Sequence, residues 1–168
     1  MGSVYGFLEE RLRGAKKLAI LGVGSTLRGD DAAGMRVVER LQAALGPKGC
    51  PEFLFCAGGT APENFSGKIK HFNPDCILII DAADMGAEAG SVMEIMPETV
   101  GGLTFCSHML PLRVMIDYLT KDSCARVTLL GIQYKCLDFD CDMTPEIRES
   151  VDTLCGALER IIINLWHI

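Results

Sequence analysis

The sequence has few basic residues, no long apolar run and no CxxC pair, and each absence excludes a class of protein. Its 22 aspartates and glutamates outnumber its 16 lysines and arginines, and the net charge of −6 argues against a nucleic-acid-binding surface. No apolar run reaches the length of about 18 residues that a membrane-spanning helix needs. We therefore expect neither a nucleic acid partner nor insertion into a membrane.

The eight cysteines are spread along the chain, and without a CxxC pair they indicate no zinc site. Several lie inside apolar runs, such as Cys76 in CILIID and Cys155 in VDTLCGAL, where a free cysteine behaves as a small buried hydrophobe. We expect reduced thiols rather than a disulfide framework, and hence a cytoplasmic protein.

Two common catalytic motifs are also missing. The turn GVGSTLRG has Leu27 where a G-x-G-x-x-G phosphate loop requires glycine, and the acidic Asp30 and Asp31 after it would repel a phosphate. There is no G-x-S-x-G elbow, and Ser107 is the sequence neighbour of His108, a placement that rarely forms a nucleophile–base pair. The residues thus support neither a dinucleotide site nor a catalytic triad.

What the chain does contain is an alternation of apolar strands and amphipathic helices. This pattern predicts a single α/β domain, residues 1–168, with a twisted, mostly parallel sheet flanked by helices on both faces. The predicted strands are 17–24, 52–57, 76–80 and 126–132, with an edge or antiparallel strand at 91–96, and the predicted helices are 3–14, 35–45, 60–72, 111–121 and 145–165. In such sheets ligands bind outside the carboxyl ends of the strands.

Three helix starts carry capping signals. Asp30 or Asp31 is predicted to cap the helix that follows the first strand, Thr60 to Glu63 reads as a capping box, and Thr144 precedes the last helix. Of the acidic pair, Asp30 is predicted to be the structural member, as a cap or a loop brace.

Three residues after separate elements could together hold a divalent metal. Asp31 follows the first strand, Asp81 ends the third, and His108 precedes a helix. Two carboxylates and one imidazole suit a divalent transition ion, and three protein ligands leave coordination positions open for a substrate. Each residue also has an ordinary alternative, since aspartate caps helices and forms turns and histidine is common on surfaces.

The same residues lie in motifs that resemble a known family. GVGSTLRGDDAAG is similar to the G-x-G-N-x-L-x-x-D-[DE]-G-x-G signature of the endopeptidases that mature nickel–iron hydrogenases. GGTAPEN (58–64), IIDAADMG (79–86), SHMLPL (107–112) and LLGIQ (129–133) continue the resemblance in the family's order, over nearly the whole chain. The branch that serves formate-hydrogenlyase-type hydrogenases is the most similar. Ser25 in place of asparagine and Ala32 in place of glycine depart from the signature.

The resemblance implies a hydrolase of aspartic or metal-dependent type that clips the C-terminal extension from the hydrogenase large-subunit precursor. It implies that Asp31, Asp81 and His108 are the catalytic and metal-contacting residues. The metal would be nickel already carried by the precursor, with no organic cofactor. We expect a monomer whose partner is that precursor.

Two alternatives remain open at the level of sequence. Tandem acidic residues, a later strand-ending aspartate and Lys135 would also suit Mg²⁺ and phosphoryl chemistry in a non-enzymatic, receiver-like module. A chaperone that only checks for nickel would keep the resemblance without catalysis.

Overall fold

A computed structural model describes residues 4–50, 52–96 and 109–168 of the chain. The predicted loop 97–107 and His108 therefore lie outside the described residues. Within those residues, no helix is both long and apolar enough to cross a bilayer.

Strands and helices alternate as the sequence predicts. The strands are β1 (Leu18–Val23), β2 (Phe53–Gly59), β3 (Cys76–Ala83), β4 (Val92–Glu94) and β5 (Arg126–Gln133), and the α-helices are α1 (Val4–Leu12), α2 (Ala33–Leu45), α3 (Ser66–Phe72), α4 (Met109–Thr120) and α5 (Pro145–Trp166). Short 3-10 turns at Gly29–Ala32, Gly46–Lys48 and Pro62–Phe65 join several of them.

The five strands form one sheet in the order β2-β1-β3-β5-β4. β1 pairs in parallel with β2 and β3, and β3 pairs in parallel with β5. β4 is antiparallel to β5, which confirms the edge strand that the alternation in SVMEIM predicts. The mostly parallel α/β fold is therefore confirmed. Because β2 and β3 flank β1 on opposite sides, the order in which strands are added to the sheet reverses at β1, and open α/β sheets bind ligands at such a switch point, here between β1 and β3.

Each face of the sheet is covered by its own set of helices. Alternate side chains of β1 and β3, such as Ile20 and Leu78, pack with α2 and α5, and the intervening ones, such as Leu21 and Ile79, pack with α3 and α4. The apolar face predicted for the last helix is buried as expected, at Ile147, Val151, Leu154, Leu158 and Ile161. Burial of these aliphatic side chains is the main contribution to stability.

The helix starts differ from the predicted caps. The segment predicted as a capping box instead forms the 3-10 turn Pro62–Phe65, with Ala61 as its N-cap and no side-chain cap bond. Thr144 is the N-cap residue of α5, but its hydroxyl donates to Asp30 rather than to the helix backbone. Tertiary partners have replaced the local hydrogen bonds on which the capping predictions depend.

The thiols of the described residues differ in burial. The seven cysteines there are free, with Cys56, Cys76 and Cys155 buried and Cys124 and Cys141 exposed. Burial raises the pKa of the Cys155 thiol to about 11, and burial likewise raises the pKa values of Cys56 and Cys76.

We expect native-state alkylation to separate these thiols. At pH 8 the low thiolate fraction alone slows Cys155 by about 100-fold relative to an unperturbed thiol, and burial slows it further. Timed labelling with iodoacetamide followed by peptide mass mapping measures the rates. Labelling of Cys155 as fast as that of Cys141 would contradict the buried placement.

Candidate active site

Asp30 is a buried carboxylate that fastens the loop after β5 to the loop after β1. Its side chain is fully buried. It accepts backbone N–H bonds from Lys135 at 2.9 Å, Cys136 at 2.8 Å and Thr144 at 2.7 Å, and the Thr144 hydroxyl donates to it at 3.1 Å. Asp30 is therefore a structural brace, and its four donors account for its burial.

The predicted N-cap role of this acidic pair is wrong. Helix α2 begins at Ala33, with Ala32 in the N-cap position and no side-chain cap bond. The 3-10 turn Gly29–Ala32 carries both aspartates ahead of the helix, so their side chains bond to neighbouring loops instead. Ala32 has φ −72°, which explains why glycine is not required at this departure from the family signature.

Asp31 is nearly buried, with 6% of its surface exposed. Its Oδ2 accepts the Ser25 N–H at 2.8 Å, the one hydrogen bond to this carboxylate within the described residues. The bond requires the chain to turn sharply at Gly24, where φ is +124° and a Cβ would lie 1.8 Å from the Asp31 carbonyl oxygen. The glycine-rich turn therefore serves to hold Asp31 against the end of β1.

Asp81 lies in the carboxyl-terminal part of β3 and is fully buried. Asp81 lies two residues from both Ile79 and Ala83 along the strand, so it shares their face of the sheet, which α3 and α4 cover. The start of α2 touches the preceding residue, because a Cβ on Gly34 would lie 2.1 Å from the Ile80 carbonyl oxygen. The turn that carries Asp31 and the strand end that carries Asp81 are thus adjacent, at the point between β1 and β3 where the strand order reverses.

Helix α4 begins at this same edge of the sheet. Residues 121–125 join its end directly to the amino end of β5, so α4 runs back along the sheet and Met109 lies towards the carboxyl ends of the strands. His108 is the residue before it in the chain and lies outside the described residues.

Gln133 is a buried polar residue at the end of β5, and its sequence motif LLGIQ did not predict a role for it. Its Oε1 accepts the N–H groups of Met85 at 2.7 Å and Ala87 at 3.3 Å, and its Nε2 donates to Asp84 at 3.3 Å. Asp84 also accepts the Gly86 N–H, so Asp84 forms a turn after β3. A glutamine that ends an apolar strand was the available signal, since such a side chain must find partners when buried.

Comparisons with known proteins agree with this architecture. A sequence model described as hydrogenase maturation protease, of the HycI type, matches residues 35–161. A putative hydrogenase maturation protease of Methanocaldococcus jannaschii is 37% identical over 94% of this chain and 95% of its own length. The chain belongs to the hydrogenase maturation protease family. The hydrogenase 3 maturation protease of Escherichia coli K12 is also 37% identical, over 83% of this chain and 87% of its own length.

Solved structures of this protease family have the same fold. The [NiFe] hydrogenase maturation protease HycI of Thermococcus kodakarensis matches with a TM-score of 0.84 and 30% identity, over 93% of this chain and 98% of that one. The endopeptidase HycI of Escherichia coli matches with a TM-score of 0.73 and 35% identity, over 86% and 90% of the two chains. These relatives are named as maturation proteases and as an endopeptidase, so a hydrolase is the fitting enzyme class.

Lys135, which the receiver-like alternative would place at a phosphoryl group, forms an ion pair instead. The Lys135 ammonium pairs with Glu146 at the start of α5, and this contact raises the pKa of Lys135 and lowers that of Glu146. Asp30 is already engaged by four hydrogen bonds. A receiver-like site needs both carboxylates and the lysine around one Mg²⁺ and a phosphoryl group, so this geometry disfavours it.

Among residues 4–50, 52–96 and 109–168, no three histidine, cysteine or acidic side chains lie close enough together to hold a metal ion. The carboxylates at the junction of β1 and β3 supply oxygen donors from two separate elements. Any third ligand to a metal there must come from the remaining chain or from a substrate.

Proposed function

We propose that this protein removes the C-terminal extension of a nickel–iron hydrogenase large-subunit precursor after nickel has been inserted. The observation that carries the proposal is the adjacent placement of two buried carboxylate-bearing segments, at Asp31 and Asp81, where an α/β sheet binds ligands. The names of the relatives, which are hydrogenase maturation proteases and an endopeptidase, supply the substrate class.

In this proposal the nickel belongs to the substrate and is contacted by Asp31, Asp81 and His108. Carboxylate oxygens and an imidazole nitrogen together suit a divalent transition ion. Asp31 is the more accessible of the two carboxylates, and the Ser25 N–H fixes one of its oxygens, leaving the other for a ligand. The start of α4 at the carboxyl edge supports the inclusion of His108, the residue before it in the chain. No organic cofactor is required.

The nickel contact serves to position the scissile peptide bond. A precursor held by its own metal places the bond beside the carboxylates, which replaces a bimolecular encounter with a fixed geometry. Water then attacks the carbonyl carbon, either deprotonated by a carboxylate or with the carbonyl polarised by nickel, and the C–N bond breaks as the proton from the water passes to the leaving amine. The absence of a serine or cysteine nucleophile motif is consistent with direct attack by water.

The experiment that tests the proposed function is cleavage of the precursor in nickel-loaded and nickel-free forms. We expect mass spectrometry to detect a released C-terminal peptide when the protein is incubated with the nickel-loaded precursor but not with the nickel-free one, because nickel supplies the positioning contact. Binding without any peptide would contradict proteolysis and favour a nickel-checking chaperone. Equal cleavage of both forms would contradict nickel recognition while retaining the protease.

A further inference from the structure

Two large apolar side chains on the loops next to the candidate site are exposed to solvent. Leu27, in the loop after β1, is 59% exposed, and Phe139, in the loop after β5, is 71% exposed. Phe139 is the most exposed of the large hydrophobic residues within the described chain. Adjoining exposed apolar side chains with a polar border often mark a protein-binding surface.

The two loops that carry these side chains are joined to each other. The Asp140 N–H donates to the Leu27 carbonyl oxygen at 2.8 Å, and the Arg28 Nε donates to the Leu137 carbonyl oxygen at 3.3 Å. The Gly29 N–H donates to the Cys141 carbonyl oxygen at 3.1 Å. These bonds hold Leu27 and Phe139 in a preorganised arrangement, so a partner pays little ordering entropy on binding.

The exposed apolar pair has an acidic border. Asp138 and Asp140 flank Phe139, Asp142 follows, and all three are exposed, so these carboxylates outnumber Arg28, the exposed cation next to Leu27. The nearby Lys135 is neutralised by its pair with Glu146. A partner surface that combines an apolar contact with lysine or arginine is therefore favoured, since opposite charges at the rim accelerate association and select the partner.

The position of these loops connects them to the candidate site. Leu27 lies between Ser25, whose N–H binds Asp31, and Asp31 itself. The loop of Phe139 is fastened to Asp30 through Lys135 and Cys136. Both loops therefore belong to the same hydrogen-bonded structure that carries Asp30 and Asp31, so a protein bound with its scissile bond at Asp31 is able to contact them.

We propose that Leu27 and Phe139, bordered by Asp138 and Asp140, form a docking surface for the hydrogenase large-subunit precursor, here called the Leu27–Phe139 patch. It contacts an apolar, lysine- or arginine-bordered region of the precursor and determines which protein is cleaved. This assignment rests on the proposed function, because the occupant is the substrate of that reaction.

The test compares cleavage kinetics of the Leu27→Ser/Phe139→Ser variant with those of wild type. We expect KM for the nickel-loaded precursor to rise about tenfold or more, with kcat nearly unchanged, because the patch binds substrate without touching the reacting bond. Val114→Ser/Tyr118→Ser, which removes similarly exposed apolar side chains from α4, is the matched control and should leave KM unchanged. An unchanged KM in the patch variant, or an equal rise in the control, would overturn the proposal.

Two further measurements separate this proposal from the proposed function and from other occupants. Calorimetric binding of the precursor should weaken in the patch variant even if no cleavage is observed, so docking and proteolysis fail independently. Asp138→Lys should weaken binding most at low salt, and tighter binding would overturn the basic character assigned to the partner. Self-association of wild type that disappears in the patch variant would reassign the patch to a second copy and overturn the proposal.

Discussion

Asp31→Asn and Asp81→Asn are each expected to slow precursor cleavage by about 10²- to 10⁴-fold, the range found when a general base or metal contact is removed. Asparagine keeps the shape of the side chain but removes its negative charge. In Asp31→Asn the amide oxygen still accepts the Ser25 N–H, so the local structure is retained. The loss would therefore reflect chemistry or nickel contact rather than folding.

Single-turnover cleavage of nickel-loaded precursor measures this effect, and urea unfolding of each variant shows whether the fold is intact. Asp75→Asn is the matched control, because Asp75 lies beside the opposite end of β3 and accepts the Lys16 and Lys17 N–H groups at 2.8 Å each. Those two hydrogen bonds lower the pKa of Asp75, so its carboxylate is charged at a neutral assay pH. Wild-type rates in both Asp31→Asn and Asp81→Asn would contradict the assigned roles.

The Asp75 control also has a defined pH dependence. Because the folded-state pKa of Asp75 lies below its ordinary value, the ionised carboxylate stabilises the fold at neutral pH. That contribution is lost as the pH falls through the depressed folded-state value. Cleavage assays near neutral pH are therefore unaffected by its titration.

The elements that the sequence predicted correctly are those determined by local periodicity. The apolar run CILII predicted β3, and the 3.6-residue spacing of Ile147, Val151 and Leu154 predicted the buried face of α5. The spacing of acidic residues after β1 and in β3 placed Asp31 and Asp81 at the same edge, because parallel strands align their carboxyl ends.

The features that sequence could not predict depend on partners far along the chain. From the sequence, Asp30 is the structural member of the pair, as a cap or a loop brace, and only its bonds to a loop more than 100 residues later identify it as a brace. The patch formed by Leu27 and Phe139 is invisible for the same reason, since the hydrogen bond from Asp140 to Leu27 joins two distant loops. An N-cap preference is worth about 1 kcal/mol, which several tertiary hydrogen bonds readily exceed.

Because its tertiary hydrogen bonds outweigh a local capping preference, Asp30 is the residue whose substitution we expect to cost the most stability among the variants proposed here. Asp30→Ala should lower the free energy of unfolding by about 3 to 5 kcal/mol, because the backbone N–H groups of Lys135, Cys136 and Thr144 and the Thr144 hydroxyl lose their acceptor together. Hydrogen bonds to a charged acceptor are the stronger class, and buried donors without a partner carry a desolvation cost.

Asp30→Asn distinguishes the loss of the hydrogen-bond acceptor from the loss of side-chain volume that also occurs in Asp30→Ala. Asparagine fills the same volume, yet its amide group must face at least one donor. If the NH2 group takes the position of Oδ2, it faces three donors: the N–H groups of Lys135 and Cys136 and the Thr144 hydroxyl. If it takes the position of Oδ1, it faces the Thr144 N–H. We therefore expect about 2 to 4 kcal/mol of destabilisation from Asn as well, whereas Asp142→Asn, an exposed acidic residue of the same loop, should change stability by less than about 0.5 kcal/mol. Urea unfolding measures all three variants. A nearly neutral Asp30→Asn would show that shape rather than acceptor chemistry holds the two loops together, and the separate roles of Asp30 and Asp31 would then need to be revised.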